Sequence, residues 1–263
     1  IILGGYTNAN GTNDFALVRY TINGQKDDTF GVSGKVITDI SNGSDDYGRS
    51  VAIYSNNTIL KDRILFGGYT YANGTNDFAL VRYTTDGQKD DTFGVSGKVI
   101  TNISNGSDDY GYSIAIDSQD RILFGGYTYA NNNTDIALVR YDIHGNKDNT
   151  FGMSGEVITD ISNAEKEDMA NSVVIDSQDR IILGGYTNAN GTNDFALVRY
   201  TINGQKDNTF GVSGEFITDI SNGSDDRGMS VAIDSQNRIL FGGYIYANYN
   251  KDFALVRYTN LPE

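Results

Sequence analysis

The sequence predicts an all-β fold: a β-propeller of about five four-stranded antiparallel blades, the first and last incomplete within this chain. Three observations predict it. First, a pair of short apolar runs recurs five times. One copy reads Arg63-Ile64-Leu65-Phe66-Gly67-Gly68-Tyr69, then Phe78-Ala79-Leu80-Val81-Arg82-Tyr83. The Gly-Gly-Tyr copies begin at Gly4, Gly67, Gly125, Gly184 and Gly242, at spacings of 63, 58, 59 and 58 residues. A fixed period of this length, rich in short strands, marks a repeat array. Second, Gly, Asn, Asp, Thr and Ser are abundant and there is one Pro in 263 residues. That mix serves many tight turns between strands. Third, the second run carries consecutive apolar residues, as in Ala16-Leu17-Val18. Such a strand is buried on both faces, as it is when each blade packs between two others. A parallel β-helix is the rival, but its repeats run shorter and its turns carry fewer hairpin signals.

Taken in order, Ile2 to Tyr6 is a strand, and Asn10-Gly11 is a hairpin turn signal. Asp14 to Tyr20 is the second strand. Ile22-Asn23-Gly24 turns the chain, and Asp27 to Gly31 extends the connection. Lys35 to Ile40 is a third strand, rich in branched residues. Asn42 to Asp46 is a polar turn, and Ser50 to Ile53 opens the next repeat after it. The turn from Ser55 to Asp62 is longer than its counterparts. The regular unit is then four strands, A to D: Ser113 to Ile116, Arg121 to Tyr127, Asp135 to Tyr141 and Glu156 to Ile161. The blade segments are about 1–40, 50–103, 113–161, 172–220 and 230–258, one repeat domain over residues 1–263.

Strands B and C occur five times each, A and D four times. The absent pair is A of the first blade and D of the last. One D–A segment upstream of Ile1 would supply both; more blades upstream is the other reading. Without them, the unpaired edges are templates for another chain's strand.

The formal charge is −14 and the isoelectric point about 4.4. An acidic surface repels phosphate backbones, which argues against nucleic acid as partner. Cysteine is absent, which excludes disulfides, thiolate catalysis and Cys-ligated metal. No run approaches the ~20 apolar residues of a helical membrane span.

Asp-Phe-Ala-Leu-Val-Arg-Tyr, Asp-Gly-Gln-Lys-Asp-Asp-Thr-Phe-Gly, Ser-Gly-Lys-Val-Ile-Thr and Asp-Ser-Gln-Asp-Arg-Ile-Leu-Phe-Gly-Gly follow one another in one order along the chain. This series resembles the delta-60 repeat of bacterial proteins, and the strand layout is similar to propellers of the NHL class. The resemblance covers about the full chain. It implies a β-propeller and an extracellular or cell-surface location. It carries no catalytic residues to transfer.

Arg19, Arg82, Arg140, Arg199 and Arg257 share one position on strand C. An anion-binding ring is one reading. The other is ion pairing with Asp27, Asp90, Asp148 and Asp207, a structural role repeated in every unit. The turns carrying Asp45-Asp46, Asp108-Asp109 and Asp225-Asp226 cluster carboxylates, the oxygen donors Ca²⁺ takes. They form no Asp-x-Asp-x-Asp-Gly loop, and solvated Asx turns are the competing reading. The third copy, Ala164-Glu165-Lys166-Glu167-Asp168, departs from the pattern. No other cofactor is expected. His144 is the single histidine and stands where other repeats have Asn or Asp, so it reads as a turn residue. On the B–C loops, Tyr71, Tyr129, Tyr246 and Tyr249 are the aromatics a sugar or protein surface uses.

Two functions follow. One is a non-enzymatic structural or adhesive surface propeller, mediating protein interaction or assembly. The alternative is a carbohydrate-binding propeller using the tyrosines. An enzyme ranks third, because neither a triad nor a metal cage can be assembled from these residues.

Overall fold

The computed structural model describes residues 1–8, 11–54, 60–103, 106–130, 133–162, 166–247 and 250–259. Among them it is all β, with eighteen strands. They are β1 (Ile2–Asn8), β2 (Asn13–Arg19), β3 (Lys35–Thr38), β4 (Asp46–Ile53), β5 (Ile64–Ala72), β6 (Thr75–Tyr83), β7 (Lys98–Thr101), β8 (Asp109–Ile116) and β9 (Ile122–Ala130). There follow β10 (Asn133–Tyr141), β11 (Glu156–Thr159), β12 (Asp168–Ile175), β13 (Ile181–Thr187), β14 (Asp194–Tyr200), β15 (Glu215–Thr218), β16 (Asp226–Ile233), β17 (Ile239–Ala247) and β18 (Asn250–Tyr258).

Each blade of the β-propeller repeat is one meander of consecutive strands. Three sheets have four strands: β4 to β7, β8 to β11 and β12 to β15. The first, β1-β2-β3, and the last, β16-β17-β18, have three. By contacts the chain forms two compact units, residues 1–124 with 141–146, and residues 125–140 with 147–263. The first holds β1 to β8 whole, the second β11 to β18.

Strand A is longer than the sequence reading allowed. It starts at Asp46, Asp109, Asp168 and Asp226 rather than at the serines four residues on. The reason is a β-bulge between Gly48 and Ser50, repeated at Ala170/Ser172 and Gly228/Ser230. An extra residue breaks the alternation that a pattern search follows. The B–C hairpin is also tighter: β5 and β6 are joined by Asn73-Gly74 alone, both at positive φ (54° and 98°). That is the backbone a two-residue primed turn requires.

Within each unit, blades pack through their B and C strands. Phe15 of β2 meets Phe66 of β5, Phe78 meets Phe124, and Phe195 meets Phe241, each pair with ring centroids 4.7 Å apart. The first glycine of the Gly-Gly column serves this packing, and the second faces strand A of its own blade. A Cβ on Gly67 would stand 2.5 Å from Ile114 Cδ1, and one on Gly68 would stand 1.9 Å from the Tyr47 carbonyl oxygen. A tyrosine ending strand C bonds a threonine on the preceding strand D, as in Thr38–Tyr83 and Thr159–Tyr200, both 2.7 Å.

Candidate functional site

The arginine column is structural. Arg82 is buried, and its Nε donates to Asp90 Oδ2 at 3.0 Å. Nη2 donates to Thr92 Oγ1 at 2.9 Å, the guanidinium lies 4.7 Å from the Phe93 centroid, and Nη1 reaches the Ile143 carbonyl. Arg19, Arg140 and Arg199 pair with Asp27, Asp148 and Asp207 at 2.8, 2.9 and 2.8 Å. For Asp90, burial works against ionisation, but the Thr92 hydroxyl and the Arg82 charge outweigh it and hold the carboxyl below its ordinary range. Each of these four arginines thus ties strand C to its own connection and, through Nη1 at Arg19, Arg82 and Arg140, to a later turn carbonyl.

The acidic turns contain two positions with different work. Asp45, Asp108 and Asp225 brace the preceding hairpin. The backbone N–H of Asn13, Asn76 and Asn193 donates to their Oδ1 at 2.8, 2.8 and 3.0 Å. The second position, Asp46, Asp109 and Asp226, is fully buried at the start of strand A, so these carboxylates are not solvated turn residues. Asp46 Oδ2 accepts from the Ile40 N–H at 2.6 Å, and Oδ1 accepts from the Ser41 and Thr70 hydroxyls. Asp168 holds the same place, accepting from the Ile161 N–H at 2.7 Å and from Thr187. The third copy therefore keeps the motif, shifted by one inserted residue in its turn. Asn10, Asn105, Ala164 and Glu165 lie outside the described residues.

Two further columns converge on this carboxylate. One is the strand-C aspartate Asp14, Asp77, Asp135 and Asp194. The other follows strand D: Asp39, Asn102, Asp160 and Asp219. In Asp14/Asp39/Asp46, Asp135/Asp160/Asp168 and Asp194/Asp219/Asp226, one carboxylate oxygen from each residue lies within 4.8 Å of the others. In each, the first and third residues are buried and the middle one is exposed. Burial and the neighbouring charges push Asp135 up to about 6, and Asp77, beside Asp109 and Asp108, to about 6 as well. Asp14 and Asp194 are raised for the same reasons. Sequence reading missed these two columns. The signal was present as a recurring Asp before the Phe or Ile of strand C and a recurring Thr-Asp after strand D.

The tyrosines sit on strand B, not on a loop, because β5, β9 and β17 run past them. Tyr71 is 46% exposed and Tyr129 44%. Tyr246 is half-buried, 5.9 Å from Tyr244, with Lys251 Nζ over both rings. Tyr249 lies outside the described residues. A second aromatic group gathers around Arg49, whose guanidinium lies 5.2–5.9 Å from the rings of Tyr6, Tyr47, Tyr69 and Tyr112 and donates to Tyr69 Oη at 2.9 Å. The tyrosine of each Gly-Gly-Tyr was the readable sign of it. His144 is exposed in its turn, where its N–H donates to Asp142 Oδ1 at 2.9 Å.

The family model described as "Domain of unknown function (DUF5122) beta-propeller" matches residues 1–30, 62–93, 120–151 and 179–210. Each match runs from strand B through strand C to the connection that pairs with its arginine. The chain is similar to that β-propeller repeat over these four segments. No curated protein matches the chain.

Proposed function

We propose that this chain is a non-enzymatic β-propeller scaffold that works by protein association, with its two uncovered blade faces as the surfaces where copies meet. The observation that carries this is Phe253 on β18, which is 102% exposed, with Leu255 at 72%. Their counterparts Phe15, Phe78 and Phe195, and Leu17, Leu80 and Leu197, are all buried. On β1, Leu3 is 58% exposed, where Phe66, Phe124, Leu183 and Phe241 are buried. Phe253 is the residue that elsewhere meets a Phe66-type side chain, and Leu3 is the first-blade residue of that type. A β18 face of one copy and a β1 face of another repeat the packing of adjacent blades. Burying a Phe or Leu is worth about 1.5–3 kcal/mol each, and a contact between two different faces propagates head to tail. The columns that carry charge in every repeat hold turns and blades together, which supports a scaffold over a catalytic site.

Sedimentation velocity over a concentration series tests this. Wild-type chain should associate reversibly, and Phe253→Asp with Leu255→Asp should sediment as a monomer with an unchanged β spectrum. A wild-type chain that stays monomeric throughout the series would refute it.

A glycan-binding propeller is the second reading, favoured by the equal exposure of Tyr71 and Tyr129 at one position of successive blades. Binding on a glycan array that disappears in Tyr71→Ala/Tyr129→Ala is its signature. We place the protein outside the cell or on its surface on its resemblance to delta-60 repeats alone.

A further inference from the structure

The three acidic triads gather carboxylates at the blade junctions, with the first and third of each buried. The charges that bear most on Asp14 are those of Asp39, Asp46 and Asp45, and those on Asp194 are Asp219, Asp226 and Asp225. A buried carboxylate is costly unless it is paired, hydrogen-bonded or protonated, and like charges side by side add to that cost.

A second observation is independent of the clustering. Asp14, Asp77, Asp194 and Asp226 are at most 2% exposed, yet Oδ1 of each accepts no hydrogen bond from the described residues, whereas Asp135 Oδ1 accepts from the Asn133 amide. At Asp226 the cause is visible. The hydroxyl of Thr70 or Thr187 that serves Asp46 or Asp168 is replaced by Ile245, which pairs with Asp226 across β16 and β17. Buried polar atoms normally find a partner, so the Asp14/Asp39/Asp46 and Asp194/Asp219/Asp226 triads each hold a carboxylate with a free acceptor.

We propose that Asp14/Asp39/Asp46 and Asp194/Asp219/Asp226, and with them the repeat-equivalent Asp135/Asp160/Asp168, are Ca²⁺ sites, each clamping strand C and the end of strand D of one blade to strand A of the next. Oxygens sharing one Ca²⁺ at about 2.3–2.6 Å lie no more than about 5 Å apart, a condition the triads meet. The ion takes one oxygen from each of the three elements, and the exposed middle aspartate leaves a side open to water ligands. The hydrogen bonds on Asp46 and Asp168 orient those carboxylates and leave lone pairs for the ion. The fourth junction is a natural contrast. Asn102 replaces the middle aspartate there, and its amide bonds Asp77, so one charge is absent. It keeps a free acceptor on Asp77 but lacks the third carboxylate, so it should bind Ca²⁺ least of the four. Asp45, Asp108 and Asp225 are not ligands in this arrangement, since they hold the hairpin beside the site.

The test uses the full chain stripped with a chelator. Isothermal titration with CaCl₂ should give a stoichiometry near three, and the melting temperature should rise on the order of 5 °C at saturating Ca²⁺. MgCl₂, which demands a tighter octahedron, should give a smaller rise. Asp14→Asn/Asp135→Asn/Asp194→Asn should melt no lower than wild type in chelator, because it removes repulsion, but should lose the Ca²⁺ response. If that triple variant does not fold, the exposed Asp219→Asn alone should lower the stoichiometry by one. No heat and no melting shift with CaCl₂ in wild type, or a response that these substitutions leave intact, would overturn the proposal.

Discussion

The arginine–aspartate pair shows how one side chain decides whether a repeat holds. Arg82 is buried, and Asp90 is its only carboxylate partner among the described residues. Removing one member of a buried pair strands the other. Asp90→Ala should therefore cost about 3 kcal/mol in urea denaturation. Asp28→Ala, beside the exposed Lys26 at 3.8 Å, should stay within about 0.5 kcal/mol. Asp77 works in the opposite direction. Its folded value of about 6 stands above the ordinary 3.8, raised by burial, Asp109 and Asp108 and opposed by Asn102. The folded state thus holds its proton longer than the unfolded state, and this group's contribution falls as pH rises from about 4 to about 6. Above that window the ionised carboxylate is a constant penalty. Asp77→Asn should raise stability at pH 8 by about 2 kcal/mol and flatten that stretch of the pH profile, measured in chelator. No gain at pH 8 would mean that the carboxylate is better solvated than its burial implies.

At the level of strands, the Gly-Gly column gives a comparison inside one molecule. Gly68 faces the Tyr47 carbonyl, where an added Cβ would stand 1.9 Å away, whereas its counterpart Gly5 on β1 has nothing within 4 Å. Gly68→Ala should cost more than 2 kcal/mol or prevent folding, because backbone must move. Gly5→Ala should be neutral or slightly stabilising, since Ala restricts the unfolded chain. Thermal melts of the two variants separate packing from propensity, and equal effects would discount the close approach. The same column shows what sequence alone could reveal. Strand order, the hairpins and the Arg–Asp pairing were legible because each is local: a period, a turn dipeptide, or a partner eight residues away. The start of strand A was not, because a bulge interrupts the alternation. The triads were not, because Asp14 and Asp46 lie 32 residues apart and meet only across a blade junction. For the same reason spacing hides the place of Asp168 in the motif: an inserted residue displaces it in sequence and not in space. Tyr71 and Tyr129 fall outside the strand B that the sequence predicts because its apolar pattern stops at the Gly-Gly-Tyr tyrosine.

At the level of the whole chain, stability in an array of this kind is a sum over blades and the interfaces between neighbours. A strand packed on both faces opens only when two interfaces are lost. β14 is buried along its whole length, whereas β18 has every residue at least partly exposed and, among the described residues, pairs within its sheet with β17 alone. The two strands carry nearly the same residues, Asp-Phe-Ala-Leu-Val-Arg-Tyr in each, so intrinsic propensity cannot separate them. Amide hydrogen exchange at low protein concentration should therefore show β18 exchanging well before β14, with β1 also early, since opening free energies fall as buried contacts fall. Concentration supplies the second half of the prediction. If copies meet through the β18 face, raising the concentration should slow exchange in β18 and β1 together and leave β14 unchanged, because association protects only what it covers. In Phe253→Asp/Leu255→Asp the exchange of both end strands should lose its dependence on concentration. Equal exchange of β18 and β14 at low concentration would show that the uncovered face costs the last blade nothing. Protection of β18 without β1 would mean that the end blades meet like to like rather than head to tail.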